Sequence, residues 1–174
     1  MGEKNIGGIV ALSVFPTRRG FGFAVLRGPW TVLAYGTRGF KDGKNKNTHC
    51  LLKAVELIQM YQPDVVVLED YRGEGSRRCA RIERLIRDIE TLARQKHIKT
   101  CSYSRSQIRE CFAEFKAWTK QEIANVIGET LPAFKPLVPR PLKIWEKEHP
   151  RMSVFDAISL SFTYFYFLVK KKAA

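Results

Sequence analysis

With 174 residues, 45 % of them hydrophobic, the chain has material for one compact core and too little for two comfortable ones, so residues 1–174 read as a single domain. Thirty Lys and Arg against 17 Asp and Glu leave a formal net charge of +13, which disfavours basic partners and favours a polyanion, nucleic acid first. A basic protein without such a partner is the alternative. Cys50, Cys79, Cys101 and Cys111 stand singly, which argues against both a zinc finger and a disulfide framework; reduced, mostly buried thiols of a cytoplasmic protein are expected.

In chain order, the N-terminus lacks the basic start, apolar middle and small-residue cleavage site of a signal peptide. Residues 6–12 form a continuous apolar run ending shortly before Pro16, as expected of a strand buried on both faces. A second strand is predicted over 21–26, and Gly28-Pro29 turns the chain into a third over 31–35. Residues 48–62 place Leu51, Leu52, Val55 and Ile58 at helical spacing, and Pro63 ends that helix. Another doubly buried strand, 64–69, follows at once. The stretch 75–97 is a long basic amphipathic helix with Cys79, Ile82, Leu85, Ile86, Ile89, Leu92 and Ala93 on one face.

A fifth strand is predicted over 98–103 and helices over 106–112 and 119–131, the second opened by a capping box of Thr119 and Glu122. A proline-rich loop occupies 132–150, and a helix over 153–170 closes the chain. The most apolar stretch, 154–169, is shorter than the roughly 20 residues a bilayer crossing takes, and it carries Asp156, so it reads as a core helix. This order makes a mixed α/β sheet in which strands one, four and five run parallel through helical crossovers. Ligand sites in such sheets gather at the carboxyl ends of the central strands, where Ser13 and Glu69 are expected.

Glu69 closes a strand of four large apolar residues, and Asp156 lies in an otherwise apolar helix, where a charge is costly unless paired, hydrogen-bonded or metal-bound. Two hard oxygen ligands from separate elements suit Mg²⁺ or Mn²⁺. Alternatively, Asp156 caps its helix and Glu69 pairs with a nearby arginine.

Several stretches together resemble the RuvC-type Holliday junction resolvases. Ala11-Leu12-Ser13 is followed by Gly20-Phe21-Gly22; Pro63-Asp64-Val65-Val66-Val67-Leu68-Glu69 is similar to the family's fourth strand; Phe155-Asp156-Ala157-Ile158-Ser159-Leu160 is similar to its last helix. Ser106-Gln107-Ile108 and Thr119-Lys120-Gln121-Glu122-Ile123 resemble its pre-terminal region. The resemblance implies an RNase H-like five-stranded sheet of order 3-2-1-4-5 flanked by helices. It also implies a Mg²⁺- or Mn²⁺-dependent, structure-selective endodeoxyribonuclease acting on four-way junctions in DNA recombination. Glu69 and Asp156 are then metal ligands, and Lys120 stabilises charge at phosphorus.

By the same spacing the family's first aspartate aligns with Ser13, a neutral hydroxyl and a poor Mg²⁺ ligand, and a second position, acidic or histidine in the family, aligns with Ser153. Asp70 and His149 are candidate substitutes, whereas Asp64 is at the wrong end of its strand. The altered site leaves a second reading open, a catalytically inactive junction-binding protein on the same fold. Tyr71 is a candidate for stacking on an exposed base, and Arg72, Arg77, Arg78, Arg81, Arg105, Gln107 and Lys120 for following phosphates, with Lys44, Lys46 and Lys116 extending the basic track. Local packing of Tyr71 beside a solvated charged face is the alternative. Pairing through the 75–97 helix would give a two-fold homodimer matched to a two-fold junction, unless that helix's apolar stripe is used by the chain's own core.

Overall fold

A computed structural model describes residues 5–40 and 43–174 of the chain. Five strands form one sheet in the order β3-β2-β1-β4-β5: β1 Val10–Thr17, β2 Gly20–Arg27, β3 Thr31–Gly39, β4 Val65–Glu69 and β5 Lys99–Tyr103. The first three make an antiparallel meander, and β1, β4 and β5 run parallel, as the order of elements predicts. The crossovers are α1 Lys46–Tyr61 and α2 Ala80–Gln95; beyond β5 come α3 Arg105–Phe112, α4 Lys120–Thr130 and the closing α5 Met152–Ala173.

Side chains alternate along β1, so the sheet carries two cores. Leu12 and Val14 pack with Leu57, Ile58, Leu85, Ile86 and Ile89 of α1 and α2. Ala11 and Phe15 pack on the other face with Phe112, Ile127, Phe155, Ile158 and Phe165 of α3, α4 and α5. The buried positions of α2 are Ile82, Leu85, Ile86, Ile89 and Ala93. Its apolar stripe thus covers the chain's own sheet.

Several element bounds differ from the sequence expectation for identifiable reasons. Residues 6–8 form a 3₁₀ turn, and β1 begins later and runs through Pro16. Pro16 is tolerated because the β1–β4 ladder pairs only Ala11 to Ser13, so no donor is needed there on that side. The helix expected from residue 75 starts at Ala80, leaving 75–79 as loop with Cys79 exposed. Cys50 and Cys111 are buried and Cys101 is half-buried; all four are free thiols. At 22 residues α5 is longer than expected and is long and apolar enough to cross a membrane, but 67 % of its most apolar stretch is buried inside the protein, the mark of a core helix.

Gly22 explains how α5 is seated. A Cβ there would lie 2.2 Å from the Ser153 carbonyl oxygen, so only glycine lets the start of α5 approach β2 this closely. Gly22 pairs across the sheet with Phe15. The Gly-Phe-Gly stretch thereby brings the first turn of α5, and with it Asp156, over the end of β1.

Candidate functional site: a cleft at the carboxyl ends of β1 and β4

The parallel ladder between β1 and β4 ends at the pair Ser13–Val67. Two residues further along each strand stand Phe15 and Glu69, and both line a cleft of about 220 Å³. The 73–78 loop with Glu69 and Asp70 forms one wall. Arg105 and Arg109 of α3, Trp118, Lys120 of α4 and Asp156 of α5 form the other.

Each carboxylate at the centre holds a cation. Arg78 clamps Glu69 Oε2 through Nε at 2.6 Å and through its second guanidinium nitrogen. Lys120 Nζ donates to Asp156 Oδ2 at 2.8 Å and to Glu148 at 3.0 Å. Both cations also rest on the Phe15 ring, with Arg78 4.6 Å and Lys120 5.0 Å from its centroid. Burial pushes the Asp156 carboxyl up to about 6, against the opposing pull of Lys120. For Lys120 burial acts downward, but Asp156 and Glu148 prevail and raise it.

Of the sequence candidates, Glu69, Arg77, Arg78, Arg105, Lys120 and Asp156 meet in this cleft. Ser13 does not. It lies within β1 and not at its end, is fully buried, and its hydroxyl is hydrogen-bonded to Ser161 of α5 at 2.5 Å. Counting seven residues back from Gly20 reaches Ser13, but the strand register puts Phe15 level with Glu69. Ser153 is buried too and donates to the Pro150 carbonyl. Asp70 lines the cleft and accepts the Arg72 N–H. His149 lies in a separate groove with Arg140 and Glu146 and accepts from the Arg151 N–H. Asp64 holds the Val10 N–H at the opposite end of the sheet.

The remaining basic and polar candidates divide by what they touch. Arg81 donates to the Thr17 and Arg18 carbonyls and to Asn47, tying the β1–β2 turn to α1. Gln107 completes the capping box of α3 with Ser104. Arg72 stacks on Tyr71, which is half-buried against the α1–α2 side of the core. Lys46 lies over Phe40, and Lys44 and Lys116 are exposed outside the cleft lining. Sequence reasoning missed Arg109 and Trp118; only Trp118 had a local signal, its place beside the Thr119 capping box.

The donor set does not fit a pair of divalent cations. Of the four carboxylates that line the cleft, Glu69 and Asp156 are engaged by cations and Asp70 by the Arg72 N–H; the strand position beside Glu69 is an aromatic ring, and among the described residues no group of three or more His, Cys, Asp or Glu converges to hold a metal. What the cleft offers instead is positive charge. Among the described residues, the exposed Arg77 and Arg105 form no ion pair.

No family model and no curated protein matches the chain. Solved structures do. The Thermus thermophilus RuvC structure superposes with a TM-score of 0.69 at 14 % identity, covering 94 % of this chain and 97 % of that one. T. thermophilus RuvC in complex with Holliday junction substrate gives 0.68 at 14 %, covering 93 % and 96 %. Ydc2, the yeast mitochondrial Holliday junction resolvase, gives 0.63 at 11 %, covering 95 % and 83 %. With the strand order 3-2-1-4-5 and its flanking helices, these superpositions establish that the chain has the RNase H-like α/β fold of the RuvC-type Holliday junction resolvases.

Proposed function

We propose that this protein binds branched DNA, four-way junctions above all, on the resolvase fold without cleaving it. The observation that carries the reading is the pairing of Glu69 with Arg78 and Asp156 with Lys120 around the Phe15 ring. It converts the place where resolvase-type chemistry would gather carboxylates into a neutralised, cation-rich patch. The net charge of +13 and the exposed Arg77 and Arg105 at the cleft supply phosphate contacts. A homodimer would present two such clefts to a two-fold junction; Leu52 and Met60, 56 % and 70 % exposed on α1, offer apolar area beside α2 for it. The free thiols agree with a cytoplasmic location.

The second reading, Mg²⁺- or Mn²⁺-dependent cleavage, draws on one observation, that Glu69, Asp156 and Lys120 share a single cleft. A synthetic four-way junction separates the two. We expect a gel shift at low salt and no nicks with Mg²⁺ or Mn²⁺; metal-dependent nicking that Glu69→Gln abolishes would establish cleavage instead. No shift at low salt would end both.

A further inference from the structure

The cleft contains an aromatic side chain that neither core uses. Trp118 lies on the wall opposite Glu69 and is 50 % exposed. Its backbone is held from both sides: the N–H donates to Glu122 Oε2 at 2.8 Å, and the carbonyl accepts from Arg109 Nε at 3.1 Å. Glu122 is itself fixed by the Thr119 capping box. Trp30, in contrast, packs its ring edge-on against Phe162, and Trp145 carries Lys143 over its ring. Among the described residues the Trp118 ring has no aromatic or cation partner. A large apolar ring on an anchored backbone, left half open in a basic cleft, offers exposed surface to a flat ligand.

We infer that Trp118 is a stacking platform for a nucleobase unpaired or unstacked at the branch, with Arg77 and Arg105 taking the adjoining phosphates. The inference rests on the branched-DNA reading above and deepens it. Exposed bases on a DNA strand present an unshared π-face to such a ring, whereas bases inside a continuous duplex are covered by their neighbours. Stacking on Trp118 therefore selects the branch over the duplex arm, and phosphate contacts alone do not make that distinction.

The test uses the full chain carrying Trp30→Phe and Trp145→Phe, so that Trp118 is the sole indole, titrated with a synthetic four-way junction and with a linear duplex of the same sequence. The expected result is quenching of Trp118 emission by the junction and little by the duplex. In the otherwise native chain, Trp118→Ala should weaken junction binding about tenfold, with an unchanged salt slope, and Trp118→Phe should keep most of the affinity. Junction binding with unquenched emission, or Trp118→Ala binding as tightly as the native chain, overturns the stacking role while leaving DNA binding intact. Failure of the native chain to bind any DNA at low salt overturns both.

Discussion

Phe15 and Glu69 stand level at the carboxyl ends of β1 and β4, two residues beyond the last ladder pair of those strands. An aromatic ring in that place changes what the neighbouring charges do. It holds Arg78 and Lys120 against its π-system, and each cation reaches from there to one of the two acids. The ring is also buried against the α3–α5 side of the core, so position 15 joins the packing of the fold to the electrostatics of the cleft.

Ser13 and Phe15 should respond differently to substitution. Ser13→Asp puts an uncompensated carboxylate into a fully buried position facing Ser161 and should cost more than about 3 kcal/mol. Phe15→Leu keeps an apolar side chain but loses both cation contacts, and should cost about 1–2 kcal/mol. Urea unfolding of the two variants checks the order; a Ser13→Asp protein as stable as the native one would mean that the strand register is wrong.

Asp156 should make stability depend on pH. Its carboxyl is held at about 6 against 3.8 for the unfolded chain, so the folded state binds the proton more tightly. The group therefore favours folding below about 4, and that contribution is lost as pH rises through about 6. The full change is about 3 kcal/mol. In urea titrations at pH 4.5 and 7, the native chain should gain stability relative to Asp156→Asn on acidification. Equal differences at both pH values would show that Asp156 is not buried as described.

Arg77 and Arg81 are neighbours in sequence with opposite duties. Arg77 is exposed at the cleft, so Arg77→Ala should weaken DNA binding on all branch structures and flatten the log K against log salt slope by about 0.9. Arg81 holds the β1–β2 turn through the Thr17 and Arg18 carbonyls, so Arg81→Ala should cost about 2 kcal/mol of stability and leave that slope alone. Salt-series gel shifts and thermal melts of both variants distinguish the roles.

Gly22→Ala should unseat the start of α5. The added methyl would lie 2.2 Å from the Ser153 carbonyl oxygen and 2.6 Å from its hydroxyl, and both belong to an element that cannot retreat without exposing its buried first turn. A loss of about 2–3 kcal/mol is expected. Because Asp156 rides on the same turn, the pH dependence above should weaken in this variant. A melt indistinguishable from the native protein would contradict the close approach.

Much of the architecture was legible in the residues themselves. The apolar runs of β1 and β4, the 3.6-residue stripe of α2, the Thr119–Glu122 capping box and the apolar setting of Asp156 all follow from local chemistry, and so does the parallel order of β1, β4 and β5. Glu69 and Asp156 could be singled out because a carboxylate bordering an apolar run must have a reason to be there. Arginine pairing for Glu69 was visible as an option, though not which arginine.

The tertiary structure alone decided who stands beside whom. Spacing along the chain points to Ser13, yet the two ladders pair Phe15 with Gly22 and bring Phe15, not Ser13, level with Glu69. Similarly, nothing in the run of arginines from 77 to 81 tells which one turns inward to Glu69, which ties down a turn and which stays in solvent. Register and side-chain direction depend on hydrogen bonds to a partner strand and on helices packed from elsewhere in the chain. A local pattern can demand that a charge be compensated; only the fold selects its partner.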